Sequence, residues 1–265
     1  MDEKKQVKIL QISNIITTAI VLFVNFLGST GILNNVDTGT LSDELPNLFV
    51  PAGLTFSVWG AIYTLLILFI FYQGGSLFKK GAEPSENLKK IGWFYSLINI
   101  TNALWMITWH YRLVPLSLVI MLIFLVLLIV IYLRLKIGLK GETQTPKEKF
   151  FYQVPFSVYL GWITVATVAN VTAVFIWAGV EPYTPVAVIW TILVIIVATL
   201  IAALVILTRK DIGYTLVIIW AFLGIVIKRM DPEYFVQLDV ALTAGIALIF
   251  LAVLLIVVKL VKRKK

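Results

Sequence analysis

Apolar runs recur along the whole chain, and the charges are gathered between them. LSLVIMLIFLVLLIVIYL at 116–133 is the plainest, with no charged side chain in it. About 20 such residues, wound as a helix, cross roughly 30 Å of hydrocarbon. A backbone in lipid must satisfy its own hydrogen bonds, which a helix does within one segment and a barrel does with alternating strands of about 10 residues. These runs are too long and too uniformly apolar for barrel strands. Eight are read, at 10–33, 51–73, 91–110, 113–133, 152–178, 185–208, 212–228 and 236–258. The expected fold is all-α: a polytopic helical membrane protein with about eight transmembrane helices. A hydrophobic share of 60% against 14% charged residues excludes ordinary soluble globular usage.

Orientation follows from the basic residues, which collect on the cytoplasmic side of short loops. All but three of the 22 Lys and Arg fall at the N-terminus, in the 79–90 loop, in the 134–149 segment, at Arg209–Lys210 or in the tail KLVKRKK. The exceptions are Arg112, Lys228 and Arg229. Even crossings put both termini in the cytoplasm, and the expected location is a prokaryotic cytoplasmic membrane. The loop at 34–50, with Asp37, Asp43 and Glu44, then lies outside. The net charge of +8 flanks the spans, so it points to membrane lipids and not to nucleic acid; the tail is placed to attract anionic inner-leaflet lipids. The acidic start of MDEKKQVK and the long span after it read as a retained first helix, not a cleaved leader.

Several chemistries are excluded by residue type. There is no Cys, hence no disulfide and no thiolate metal site. One His, His110, cannot supply a bis-histidine haem or a three-histidine metal site, and at a span end it reads as interfacial. No Lys lies mid-span to form a Schiff base, and no G-x-x-x-x-G-K-[ST] loop occurs. Asp239, a few residues into the last span, reads as an ion-pair partner of Lys228 or Arg229; the competing reading makes it a proton carrier.

Polar and aromatic residues inside the spans single out three stretches. In PAGLTFSVWGAIY, Pro51 opens the second span and Trp59 and Tyr63 share a helix face at i and i+4. The third span carries Asn102 and Trp105; the fifth carries Tyr159, Trp162 and Asn170. Counted from the outer ends at about 1.5 Å per residue, Trp59, Asn102 and Asn170 share one layer. Trp93, Trp109 and Trp177, at span ends, read as an interfacial belt. Aromatic walls with a few convergent polar groups suit a flat apolar ligand. Pro51, Trp59, Tyr63, Asn102, Trp105, Tyr159, Trp162 and Asn170 are therefore the candidate ligand-binding residues, with no catalytic and no metal residue among them.

These stretches resemble the translocator protein family, TspO/MBR or tryptophan-rich sensory proteins. Its V-W-x-x-L-Y is matched by Val58, Trp59, Ile62 and Tyr63, and its N-x-x-W by Asn102 and Trp105. Its Y-x-x-W-x-x-F-A-x-x-L-N is matched by Tyr159, Trp162, Ala166 and Asn170, with Val165 and Ala169 as departures. Gly53 stands where the family often has Trp. The resemblance covers about 10–178 and implies a five-helix bundle over 1–180, leaving 181–265 as a three-helix C-terminal extension with a basic tail. It implies a porphyrin- or sterol-like small hydrophobic ligand for sensing or translocation, with a tetrapyrrole as bound ligand and no resident cofactor. Tetrapyrrole breakdown has been proposed for the family, but no residue here supports it, and the chain is read as a non-enzyme. The alternative is a secondary transporter of a hydrophobic or amphipathic solute. Ala198, Ala202 and Ala203 suit helix packing within the chain, or between the chains of a homodimer.

Overall fold

The computed structural model describes residues 3–78, 83–139 and 145–263. Parts of the basic 79–90 and 134–149 segments and the last two residues of the tail fall outside them. Helices account for the described chain, with no strand among the described residues: α1 Glu3–Ser29, α2 Thr38–Asp43, α3 Val58–Phe78, α4 Glu86–Ile91, α5 Phe94–His110, α6 Val114–Arg134, α7 Pro146–Trp177, α8 Pro185–Arg209, α9 Ile212–Met230 and α10 Leu238–Arg263. Among the described residues seven helical segments, those at α1, α3, α6, α7, α8, α9 and α10, are long and apolar enough to cross a membrane; α2, α4 and α5 are not among them.

Two expectations of the span list change. The third span is shorter than 91–110: Gly92, at φ +54°, ends α4, a left-handed conformation that costs glycine little, and α5 starts at Phe94. Helix α5 has 17 residues, about 25 Å at 1.5 Å per residue. The second span, Gly53–Phe78, is not α-helical from its N-terminal end. Residues Gly53–Ser57 form a short 3₁₀ turn and α3 starts at Val58, so Trp59 lies in the first helical turn and its depth cannot be reckoned at α-helical rise from Pro51.

Local chemistry sets the other boundaries. Thr145 and Glu148 form a capping box at the start of α7: Thr145 Oγ1 accepts from Glu148 N and Glu148 Oε2 from Thr145 N, both at 3.2 Å. Thr184 caps α8 through Ala187 N at 3.2 Å, with Pro185 following. Asp211 caps α9 through Tyr214 N at 3.2 Å, where a carboxylate also suits the positive helix end.

The chain divides into two compact units, Met1–Thr38 with Trp59–Leu160, and Gly39–Val58 with Gly161–Lys265. In the first, α5 packs on α1 and α6. Phe69 of α3 sits edge-on to Tyr95 at 4.9 Å and to Tyr152 and Phe156 at 5.4 Å, and all four side chains are buried. A polar seam joins α1 to α5 and α3. Gln11 donates to the Gln73 carbonyl and to Ser76 Oγ, Ser96 donates to Asn14 Oδ1 at 3.0 Å, and the Tyr95 hydroxyl bonds Thr18 Oγ1 at 2.7 Å. Each such bond between helices contributes about 0.6 kcal/mol, up to roughly 1.7.

In the second unit, α8, α9 and α10 pack pairwise. Val240, Ala244, Ala247 and Leu251 form the buried stripe of α10, and Ala198, Ala202 and Ala203 are buried on α8. The alanines thus have partners inside the chain. The opposite faces stay apolar: Leu200 is 63% exposed and Ile246 68%, as lipid-facing positions require. Gly161 brings α7 against α9, since a β-carbon there would stand 3.0 Å from the Tyr214 carbonyl oxygen.

Pro51–Ser57 docks on α9 within this unit. Ala52 N donates to Gly224 O and Trp220 Nε1 to Thr55 O, both at 3.0 Å. A β-carbon on Gly224 would overlap Thr55 Oγ1 and stand 2.8 Å from Pro51 Cβ. Glycine is required at that crossing.

Candidate functional site

Five of the eight candidate residues come together in the first unit. Residues Trp59 and Tyr63, one helical turn apart on α3, stack with ring centroids 5.4 Å apart and planes at 18°. The Trp59 ring also lies 6.4 Å from Trp105 of α5, at 27°, and meets Tyr159 of α7 edge-on at 6.0 Å. Tyr159 is held from its other side by Phe124 of α6 at 5.2 Å. Offset and edge-to-face pairs at these separations contribute about 0.5–1.5 kcal/mol each beyond area burial. Trp105, Tyr159 and Asn102 are buried, whereas Trp59 is only partly covered.

Asn102 is the polar centre. Its Oδ1 accepts from Asn25 Nδ2 at 2.9 Å and its Nδ2 donates to the Tyr159 hydroxyl. Asn25 is held in turn by its own helix, through the Val21 carbonyl at 2.9 Å. The Tyr63 hydroxyl lies beside Asn102 yet is buried with no partner in hydrogen-bond geometry. A buried hydroxyl left open in this way costs about 1–3 kcal/mol. The cluster therefore offers an unspent phenolic O–H next to an amide, within aromatic walls. It can hydrogen-bond one polar edge of a flat apolar molecule.

Pro51, Trp162 and Asn170 belong to the second unit. Pro51 is buried where the 51–57 stretch meets Gly224. The Trp162 ring stands edge-on to Phe56 at 5.8 Å, and Asn170 is buried on α7.

Two end-of-span assignments are overturned. Trp109 is not a belt residue: it is 7% exposed and stacks on Trp105 at 6.0 Å and 17°. Residue His110 is not interfacial but fully buried, with Nδ1 at 2.8 Å from the Met106 carbonyl and Nε2 at 3.2 Å from that of Gly28. In contrast Trp93 and Trp177 are exposed, at 46% and 56%. The ion pair expected of Asp239 is not formed either. Asp239 is exposed in the first turn of α10, and Lys228 pairs with Asp43 at 2.7 Å.

Asn25, which donates to Asn102, was not among the residues singled out in the sequence. Its signal was there, since Gln11, Asn14, Thr18, Val21, Asn25 and Gly28 fall three or four residues apart and so on one helix face.

Long apolar helices with lipid-suited faces, polar groups paired inside and an aromatic cluster about one asparagine define an integral membrane protein of the polytopic helical class. Within that class the chain belongs to the TSPO-like protein family, whose family-wide pattern matches residues 11–258. The match includes α8, α9 and most of α10, whereas the motif resemblance stopped near 178. No curated protein and no solved structure matches the chain.

Proposed function

We propose that this TspO-like protein binds a planar hydrophobic ligand of porphyrin or sterol type at the Trp59–Tyr63–Asn102–Trp105–Tyr159 cluster, for sensing or translocation. The observation that carries it is the Tyr63 hydroxyl, buried beside Asn102 but outside hydrogen-bond geometry with it. Folding tolerates an open polar group of that cost where a ligand completes it. The partly covered Trp59 ring supplies a face on which a flat molecule stacks.

The charge asymmetry supports both termini on the cytoplasmic side, with the acidic 34–50 loop opposite. Family membership supports the ligand class, and the five residues supply its aromatic and polar contacts.

The test is titration of the purified protein with protoporphyrin IX, read by tryptophan fluorescence. Saturable quenching is expected, weakened about tenfold or more in Trp59→Phe and in Asn102→Ala, a loss of about 1.4 kcal/mol per decade. Linear, non-saturating quenching, or variants indistinguishable from wild type, would remove this function. A pH-gradient-driven uptake into proteoliposomes that Asp239→Asn abolishes would instead establish coupled transport.

A further inference from the structure

The last turn of α9 buries two neighbouring cations against one carboxylate. Lys228 is 7% exposed and Arg229 1%. Asp43 Oδ1 takes Lys228 Nζ at 2.7 Å, and Asp43 is itself largely exposed. Lys228 also lies over the Tyr234 ring, 5.0 Å from its centroid. The hydrogen-bond partners of Arg229 are neutral: Nη1 donates to the Phe235 carbonyl at 3.1 Å, and the Tyr183 hydroxyl stands beside the guanidinium, while the Asp43 charge acts on it only from beyond ion-pair distance. Among the described residues no carboxylate reaches ion-pair distance of Arg229, and its Nε is buried with no acceptor. Asp231, the nearest acid along the chain, takes the Glu233 amide at 3.0 Å.

Desolvating a guanidinium is costly unless a charge and hydrogen bonds compensate it. The negative end of α9 offsets only part of that cost. The remaining need is for one anion, taken at the Nε edge, from which arginine holds a carboxylate or phosphate side-on. The surroundings say what kind. Tyr183 and Phe235 stack at 4.2 Å, and with Tyr234 they remain 37–43% exposed. An apolar rim around a buried cation suits a molecule with an acyl chain and a charged head.

We propose that Arg229, with Lys228 in support, is the binding site for the oxyanion head of an acyl-chain amphiphile. A fatty carboxylate and an anionic phospholipid present that same chemistry. Binding draws the anion onto Arg229 Nε beside the non-helical Asp231–Gln237 stretch, which is tied to α9 through Gln237 N and the Arg229 carbonyl at 3.0 Å. Asp43 competes with the ligand for Lys228. Its removal therefore strengthens binding.

The test uses the full chain and reads its unfolding midpoint, which a ligand specific to the folded state raises with concentration. In neutral detergent, laurate is expected to raise the midpoint saturably while dodecanol does not. In nanodiscs, phosphatidylglycerol is compared with phosphatidylcholine. A response to laurate alone identifies a free fatty acid, a response to phosphatidylglycerol alone a lipid headgroup, and either supports the site. Arg229→Lys keeps the charge but loses the fork, and about a tenfold drop in affinity is expected. Asp43→Asn, at an exposed position, is expected to bind several-fold more tightly. No response to any of these probes overturns the site. So does an equal response to acetate and inorganic phosphate, or an affinity that Arg229→Lys and Asp43→Asn leave unchanged. Laurate carries no chromophore and the site lies apart in sequence from the Trp59 cluster, so the outcome is independent of porphyrin quenching.

Discussion

Helix α5 meets its neighbours through neutral side chains, whereas α9 meets its neighbours through a glycine, backbone amides and, at its end, charge. Both are solutions to one constraint. Hydrocarbon offers no hydrogen bonds, so whatever polarity a span carries must be met by another part of the protein. On α5 the partners are amides and hydroxyls spread over several turns, each contributing little, so the contact can give up one bond and persist. On α9 the 51–57 stretch fits a surface with no side chain to spare. Distributed polar pairing leaves room for an unsatisfied group such as Tyr63; the steric contact at Gly224 does not, and on α9 the open group, Arg229 Nε, lies away from it in the last turn.

Substitutions can break that contrast, beginning with its sharpest edge. Gly224→Leu places carbon where Thr55 Oγ1 and Pro51 Cβ already are. Overpacking typically costs about 1–3 kcal/mol, and the upper end or beyond is expected because the crossing involves backbone. Thermal unfolding in detergent measures it, and Gly224→Leu matching wild type would show that the stretch is not docked as described. Asn102→Leu comes next, at about 1–3 kcal/mol, because it strands both Asn25 and the Tyr159 hydroxyl. A double-mutant cycle with Asn25→Leu should return a coupling of roughly 0.6–1.7 kcal/mol; additive losses would mean that the seam is not a network. Gly28→Ala tests the same kind of close approach in the first unit. There the new β-carbon lies 2.6 Å from Met106 Sδ and 2.9 Å from His110 Cε1; the flexible thioether can turn aside but the buried imidazole must shift, so a loss of about 1–2 kcal/mol is expected, below that of Gly224→Leu. Tyr63→Phe has the opposite sign. Deleting the open hydroxyl should raise stability by up to about 1 kcal/mol while weakening porphyrin quenching. A variant that loses stability would show that the hydroxyl is already satisfied. The smallest effect is expected at Gly53, where a β-carbon meets nothing within 4 Å: Gly53→Trp should change the midpoint by less than about 0.5 kcal/mol.

Much of this contrast is legible in the sequence, for reasons that differ by region. Trp59, Asn102, Trp105 and Tyr159 could be grouped because buried polar and aromatic side chains in apolar spans have few places to go except toward one another. The helices themselves follow from run length. Charge pairing was less legible, since an ion pair depends on which ends meet: Asp239 is closer to Lys228 along the chain, yet Asp43 holds it. Helix starts near proline were also ambiguous. Pro51 fits the first turn of an α-helix equally well, and only the bonds from Ala52 and Thr55 to α9 show it belongs to a docked 3₁₀ stretch. His110 and Trp109 were misread because position near a span end says nothing about which face a side chain takes.

The clasp between the 51–57 stretch and α9 also has a history in time. Thr55 and Trp220 are 165 residues apart, and Asp43 and Lys228 185. A ribosome adding about 5–20 residues per second leaves the early stretch waiting on the order of ten to thirty seconds for the helix that receives it. During that interval Pro51, Thr55 and the carboxylate of Asp43 lack their final partners, though α1 and α3 have already been made. A chain stopped before α9 would keep that stretch permanently undocked. The last helices are thus what allows the front of the protein to finish folding.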